Sequence, residues 1–256
     1  MATDDGVTHV TLNRPRARNA MSQAMVVLLG EALEAAESNG TRVLVLRGEG
    51  GHFCAGGDIK DMAKARGADV GDVDPVAELN AGFGRIALRF ARSPLPVVAV
   101  VEGAVMGGGF GLACIADVVI ASTTADFRLP ETSLGVVPAQ IAPFLVERLG
   151  YSEAKRLALT GARLGAERAL GLGLVHEVAE PADLDGAVSR TVAEILRCAP
   201  LATAATKRLF HRLHPGVDGA AIEHAATVFA AAARGDEAVE GMTAFMSKRA
   251  PAWAPS

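Results

Sequence analysis

The chain has 256 residues, half of them hydrophobic, with 25 basic and 29 acidic side chains and a formal net charge of −4. This length suffices for one large core, or for a core with an appendage. The mild negative charge and the lack of a basic block in the sequence argue against a nucleic-acid partner, and no stretch approaches the ~20 uninterrupted apolar residues that a membrane span requires.

Strand and helix patterns alternate in the first half of the chain. Apolar spacing predicts a strand over Val7–Leu12, a helix over Asn19–Glu37 and a second strand over Arg42–Arg47. Strand patterns recur over Val97–Val101 and Val118–Ala121. This alternation predicts a layered α/β core.

The connecting and C-terminal segments follow other patterns. Residues 63–80 are rich in Gly and Asp and predict a mobile surface segment, followed by a helix over Ala81–Ala91. From Ser152 onward strand patterns nearly vanish, and helical patterns run over 152–160, 166–171, 182–198, 200–211, 218–233 and 235–248. We therefore predict a core over residues 1–198 and a helical C-terminal region over residues 199–256.

The cysteines, histidines and N-terminus indicate a cytoplasmic protein without a metal site. Cys54, Cys114 and Cys198 are odd in number and widely spaced, which favours reduced thiols over a disulfide framework. Only His211 and His214 have a metal-like spacing, and further ligands are lacking beside them in the sequence. The polar, acidic N-terminal stretch resembles neither a signal peptide nor a transit peptide.

A triple glycine follows the predicted strand Val97–Val101. Ala104–Met106 is too short for more than a connection, and the apolar run Leu112–Ala116 beyond the glycines predicts a helix. Backbone without Cβ atoms lets a bound group approach closely, and the first N–H groups of a helix lack intrahelical partners. The stretch Gly107–Gly109 therefore predicts either a site for a negatively charged oxygen or a simple packing turn.

The stretch His52–Lys60 repeats this design. A predicted strand ends in glycines, a corner of small residues follows, and a helix begins near Asp58. Two such corners could direct two backbone N–H groups at one thioester oxygen, as an oxyanion hole requires.

Three blocks carry a family resemblance: FCAGGDIKDM (53–62), EGAVMGGGFGLACIADVVIA (102–121) and FRLPETSLGVVPAQIAPFL (127–145). They resemble the signature of the crotonase superfamily, the enoyl-CoA hydratases and isomerases, and the resemblance extends over nearly the whole chain. It implies a crotonase-like spiral of ββα units with a helical C-terminal region. It also implies an acyl-CoA substrate, no separate cofactor because coenzyme A is part of that substrate, and a homo-oligomer. The expected oligomer is a trimer or a dimer of trimers, with the C-terminal region at the subunit contacts.

The resemblance also assigns residues. Gly57 and Gly108 would donate their N–H groups to the thioester carbonyl, and losing one such donor typically costs ~3 kcal/mol. The other implied substrate-binding residues are Arg16, Ala55, Asp58, Ile59, Lys60, Met106, Gln140 and Lys248.

Some of these residues have more specific expectations. Arg16, Lys60 and Lys248 would meet the CoA phosphates, Lys248 from a neighbouring subunit or from the C-terminal helix. The alternative for each cation is a solvated surface position. Gln140 could position water near the acyl pocket or simply begin a helix. Met62, Phe83 and Met106 are acyl-pocket candidates or plain core.

One acidic side chain is the candidate acid–base group. Hydratases of this family carry two catalytic glutamates; here the first position is Gly111 and the second is Glu131. The flanking Phe127, Leu129 and Leu134 predict an apolar setting, which would raise the pKa of Glu131 toward acid–base use. The alternative is an acid favoured only by a helix dipole.

A single glutamate is compatible with more than one function. We expect an enoyl-CoA hydratase, and the block around Glu131 resembles hydratases of branched or glutaconyl-type substrates. A Δ3–Δ2 enoyl-CoA isomerase is the alternative enzyme. A non-catalytic acyl-CoA-binding protein is the alternative outside enzymes; Gly111 suggests it, and the retained Glu131 argues against it.

Overall fold

The computed structural model describes residues 1–213 and 218–254. The strands in these ranges are β1 (Ala2–Asp4), β2 (Val7–Leu12), β3 (Val43–Gly48), β4 (Val97–Val101), β5 (Ala104–Met106), β6 (Val118–Ser122), β7 (Asp126–Arg128), β8 (Leu164–Gly165) and β9 (Glu177–Ala179). The main sheet has the order β1-β2-β3-β4-β6-β9, with every pair parallel except β1 and β2. A smaller sheet has the order β5-β7-β8.

Helices enclose the main sheet. Their bounds are α1 (Gln23–Ser38), α2 (Ile59–Gly67), α3 (Pro75–Arg92), α4 (Gly108–Ile115), α5 (Ala142–Thr160), α6 (Ala166–Gly171), α7 (Leu184–Arg197), α8 (Pro200–Leu213), α9 (Gly219–Arg234) and α10 (Asp236–Met246). Short 3₁₀ helices cover Pro15–Ala17 and Glu131–Leu134.

Strand β4 shows why the sheet is covered on both faces. All five of its residues are buried. Val97, Ala99 and Val101 belong to the main core, which α1, α3 and α4 share, while Val98 and Val100 pack in a second cluster with Leu184 and other residues of α7. A strand that is apolar on both sides needs such a layer on each face. The α/β core with a helical C-terminal region is thus confirmed.

Two predicted boundaries near the triple glycine are wrong. Ala104–Met106 is not a mere connection but strand β5, which pairs in parallel with β7. Three residues carry too short a pattern to reveal a strand whose partner lies elsewhere in the chain. Helix α4 begins at Gly108 rather than at Leu112, so the glycines themselves form its first turn.

The predicted mobile segment over 63–80 is also wrong, because α2 and α3 cover most of it and only residues 68–74 lie between them. Aspartates cap both helices: the side chain of Asp58 accepts a hydrogen bond from the N–H of Lys60 (2.9 Å), and that of Asp74 accepts one from the N–H of Val76 (2.8 Å). Within 63–80, Asp74 therefore marks the start of a helix, while Asp69 and Asp72 lie in the short connection between the two helices.

The helix α1 begins at Gln23, four residues later than predicted, because Ser22 caps it by accepting a hydrogen bond from the N–H of Met25 (3.3 Å). Short strands β8 and β9 lie in the half where strand patterns nearly vanish. Each joins a sheet by two or three residue pairs, fewer than a sequence pattern can reveal.

The C-terminal helices fold back over the body. Ile222 and Ala226 of α9 belong to the main core, next to α3. Helix α10 packs against the 3₁₀ helix that begins with Glu131. None of the helices within residues 1–213 and 218–254 has the length and hydropathy of a membrane span.

Candidate active site

The two glycine corners touch each other. The N–H of Cys54 donates to the carbonyl of Ala104 (2.9 Å), and the N–H of Met106 donates to the carbonyl of Cys54 (2.8 Å). Beyond this bridge, a Cβ on Gly56 would lie 3.2 Å from the Met106 carbonyl oxygen and 3.7 Å from the Gly107 Cα. Gly56 and Gly107 have φ values of +95° and +51°. Both positions need glycine, because side chains rarely adopt such angles and would separate the corners.

The N–H groups of Gly57 and Gly108 are available to a ligand. Met21 and Gly57 form an isolated parallel β-bridge. The N–H of Met21 donates to the Gly56 carbonyl (2.7 Å), and the carbonyl of Met21 accepts from the N–H of Asp58 (2.9 Å). The bridge therefore uses the neighbours of Gly57 and leaves the N–H of Gly57 unused. Gly108 is the first residue of α4, where no intrahelical acceptor exists. Within the described ranges, no backbone oxygen accepts from either group.

Glu131 lies at the junction of the corners. Its Oε1 is 2.8 Å from the position that a Cβ on Gly107 would take, so a side chain at residue 107 would displace the Glu131 carboxyl group. The Gly107 N–H donates to the carbonyl of Arg128 (3.1 Å), which fixes the end of β7 just before Glu131. The structure therefore brings Glu131, Gly57 and Gly108 together at one place.

The carboxyl group of Glu131 is buried, and this burial shifts its pKa. Its Oε2 is buried and has no hydrogen-bond partner among the described residues. Burial raises the pKa of Glu131 to about 7, although a backbone hydrogen bond partly opposes the rise. A group with this pKa is present in both protonation states near neutral pH and can take up and release a proton.

Helix α10 supports the segment that carries Glu131. A Cβ on Gly241 of α10 would lie 2.6 Å from the carbonyl of Leu134, and a Cβ on Gly135 would meet the backbone of Glu237. The two backbones are in direct contact because glycine occupies both positions. No sequence pattern predicts this contact, since the two glycines are about a hundred positions apart in the chain.

The space beside Gly111 is closed. A Cβ there would lie 3.2 Å from Cζ of Phe83 and 3.3 Å from Cγ1 of Ile141. Phe83 also lies over Gly108, whose Cβ position is 3.5 Å from the Phe83 ring and 2.7 Å from Cε of Met21. Phe83 and Met21 therefore wall the site, and a second glutamate at residue 111 would have no room without repacking.

Several predicted substrate-binding residues lie at or beside the corners. The N–H of Ala55 donates to the Arg18 carbonyl (3.0 Å), which joins the corner to the segment that carries Arg16. Arg16 itself is exposed, and so is Lys60 in the first turn of α2. Half-buried Ile59 and Met106 flank the corners along the chain. Contact of Arg16 and Lys60 with CoA stays a prediction.

Asp58, Gln140 and Lys248 have other surroundings. Asp58 caps α2 and forms an ion pair with Arg14 (2.7 Å). Burial raises the pKa of Asp58, but the hydrogen bonds from Arg14 and from the Lys60 N–H together outweigh this effect, so the pKa lies below its ordinary value. The Nε2 of buried Gln140 donates to the Ile222 carbonyl (2.8 Å) and so ties its loop to α9. Exposed Lys248 follows α10 with a φ of +53°. Water positioning by Gln140 and CoA binding by Lys248 stay predictions.

Two further features lie away from the corners. The Nε2 of His211 accepts from Arg92 (3.0 Å), while His214 lies outside the described residues. A cavity of about 950 Å³ opens between α8 and the body, and Glu131 is not among its lining residues.

Comparisons with known proteins identify the family of the chain. The model of a family described as enoyl-CoA hydratase/isomerase matches residues 2–255. The chain is 34% identical to 2,3-dehydroadipyl-CoA hydratase of Escherichia coli K12, over 94% of this chain and 92% of that protein. It is 33% identical to trans-2-decenoyl-acyl-carrier-protein isomerase of Streptococcus mutans, over 76% of this chain and 74% of that protein.

A solved structure extends the likeness to the fold. The crystal structure of an enoyl-CoA hydratase/isomerase from Marinobacter aquaeolei is 49% identical and covers 99% of this chain and 98% of its own, with a TM-score of 0.81. The crotonase-like architecture expected from the three sequence blocks is confirmed by this match. The chain belongs to the enoyl-CoA hydratase/isomerase family.

Proposed function

We propose that this protein is an enoyl-CoA hydratase that adds water to a 2-enoyl-CoA, with a branched or glutaconyl-type acyl group. One observation carries the proposal: Glu131, with a pKa near 7, lies against Gly107 where two corners offer unpaired N–H groups. The hydratase among the relatives supports the same reaction type.

The proposed reaction uses the backbone and one carboxyl group. The thioester oxygen accepts hydrogen bonds from Gly57 and Gly108 and takes up the negative charge that develops when C3 is attacked. Glu131, as carboxylate, removes a proton from the water whose oxygen bonds to C3. Protonated Glu131 then returns that proton to C2, so one water is added and Glu131 is regenerated. Because residue 111 is glycine, the same carboxyl serves both steps.

Isomerisation of a 3-enoyl-CoA is the second candidate. The single carboxylate favours it, because a double-bond shift needs one base that removes a proton at C2 and returns it at C4. A relative named as an isomerase supports this alternative. A non-catalytic acyl-CoA-binding protein has less support, since a buried carboxyl costs stability and is of no benefit to binding alone.

A substrate panel separates these candidates. We expect crotonyl-CoA, 3-methylcrotonyl-CoA or glutaconyl-CoA to lose the absorbance of the conjugated thioester and to gain the mass of one water. An isomerase would instead create that absorbance from a 3-enoyl-CoA with no change in mass. Finding only the second result would refute the hydratase proposal, and binding without turnover of any thioester would favour the non-catalytic protein.

We also propose a cytoplasmic homo-oligomer, a trimer or a dimer of trimers, in which the C-terminal helices take part. Exposed apolar side chains on these helices support an interface; they are Leu201, Leu209, Phe210, Phe245 and Met246. Light scattering that gives the mass of one chain would contradict the oligomer.

A further inference from the structure

Arg66 on α2 has an unusual environment for a half-buried arginine. Its Nη1 donates to Sδ of Met242 at 3.7 Å, and a thioether is a weak acceptor. Among the arginines whose side chains the structure describes, each of the other half-buried ones directs its guanidinium to a carboxylate or a backbone carbonyl. They are Arg14, Arg42, Arg47, Arg128, Arg148 and Arg234. Arg66 therefore has no oxygen acceptor for its charge among the described residues, which is costly at a half-buried position.

The position of Arg66 relates it to the candidate active site. Helix α2 begins next to Gly57, and Arg66 lies about 10 Å along its axis from Ile59. Met62 and Ala65 precede Arg66 by four and one positions and pack in an apolar cluster with Leu134 and Val137, just beyond Glu131 in the chain. We name this the α2–α10 cluster, because Met242 of α10 is buried in the same cluster. Arg66 lies at the edge of the cluster, through its contact with Met242.

Under the proposed function, the far end of the acyl group would reach the α2–α10 cluster. If the thioester oxygen is held between Gly57 and Gly108 and the reacting carbons face Glu131, the chain continues between α2 and the segment after Glu131. Long side chains of a helix lean toward its N-terminus, which for α2 is the end next to Gly57, and the Arg66 guanidinium lies against Met242 of the same cluster. Apolar residues would cover the middle carbons of the acyl group, and a cation would stand at their end.

We propose that Arg66 binds a distal carboxylate of the acyl group, so that the substrates are short acyl-CoA thioesters with a second, free carboxylate. This rests on the proposed function for the placement of the thioester. A carboxylate can accept two parallel hydrogen bonds from a guanidinium and would replace the weak contact with the Met242 sulfur. The proposal selects the carboxylated class over the merely branched one.

Binding of two unreactive thioesters tests the assignment. Glutaryl-CoA and butyryl-CoA share coenzyme A and differ in the terminal carboxylate. We expect the protein to bind glutaryl-CoA about tenfold or more tightly than butyryl-CoA, as a charge-assisted hydrogen bond allows. Arg66→Met, which keeps an apolar stem against Met242, should abolish this preference and leave the Kd of butyryl-CoA within about twofold. Lys64→Met removes an exposed charge of the same helix and should keep the preference.

Each outcome decides between the proposals. A preference for glutaryl-CoA that survives in Arg66→Met overturns the assignment, and so does an equal loss of affinity for both thioesters, which would point to the CoA moiety. If the preference follows Arg66 but no enoyl-CoA of the panel is hydrated, the hydratase proposal fails and the assignment of Arg66 stands. If glutaconyl-CoA is hydrated and the wild type lacks the preference, the assignment of Arg66 fails alone.

Discussion

Glu131→Gln is expected to lower kcat on the preferred enoyl-CoA by about 10²–10⁴-fold, the range that a positioned acid–base group contributes. Glutamine has nearly the same shape and still fits against Gly107, but it neither takes up nor releases the proton. The Kd for the thioester should stay nearly unchanged, because the backbone corners bind it. Steady-state kinetics together with equilibrium binding check both expectations.

The same substitution should make the protein more stable at alkaline pH. Burial raises the pKa of Glu131 in the folded state to about 7, whereas the unfolded chain has the ordinary 4.5. The folded state therefore holds a proton that the unfolded state has lost, and stability falls as pH rises from about 4.5 to 7. Since this difference corresponds to about 3 kcal/mol, Glu131→Gln should gain up to that amount over the wild type at pH 8 and little at pH 5.

A matched control tests whether the effects of Glu131→Gln are specific to that position. Glu167→Gln makes the same chemical change at an exposed position of α6 and should alter neither kcat nor stability appreciably. A Glu131→Gln protein that keeps more than a tenth of the wild-type kcat would have lost less than about 1.4 kcal/mol of transition-state stabilisation. That result would contradict the role of Glu131.

Gly108→Val is expected to lower kcat/KM by about 10²–10³-fold or more on every thioester that the protein accepts. The added side chain would enter the space between Met21 and Phe83, which wall the site, and would turn the N–H of residue 108 away from the thioester oxygen. Its Cβ would meet Cε of Met21 at 2.7 Å, and this flexible side-chain end can move aside. The fold should therefore survive, as circular dichroism can verify.

Gly82→Val is the control for Gly108→Val. It adds the same β-branched residue to a helix, α3, at a position where a Cβ would meet no atom within 4 Å. We expect a folded protein with nearly normal kcat/KM. A folded Gly108→Val with full activity would rule out the backbone donor of the second corner.

The sequence predicted the parts of the site that local patterns encode. The run Val97–Val101 and the glycines after it specify a buried strand and a helix N-terminus, and both exist. The family resemblance added Gly57 and Glu131, whose joint position no local pattern contains. Contact between Glu131 and Gly107 follows from the pairing of β5 with β7. Each of these strands has three residues, too few for a sequence pattern to predict the pairing.

Other features depend on contacts between distant segments. The closed space at Gly111 arises because Phe83 of α3 and Ile141 converge on α4, and the segment that contains Phe83 was itself placed next to a supposed loop. Likewise, the lack of an oxygen acceptor at Arg66 is visible only once α10 folds back onto α2. Such features are set by tertiary packing, which overrides local composition.

We propose that Glu131 is a buried acid–base group at the junction of the two glycine corners, and its pKa in the free protein is the most direct test. Titration of the free protein by ¹³C NMR, with label at the glutamate side-chain carboxyl carbons, measures this directly. We expect one glutamate resonance with a pKa of about 7 that is missing from Glu131→Gln. A wild-type protein whose glutamates all titrate near the ordinary value of 4.5 or below would contradict it.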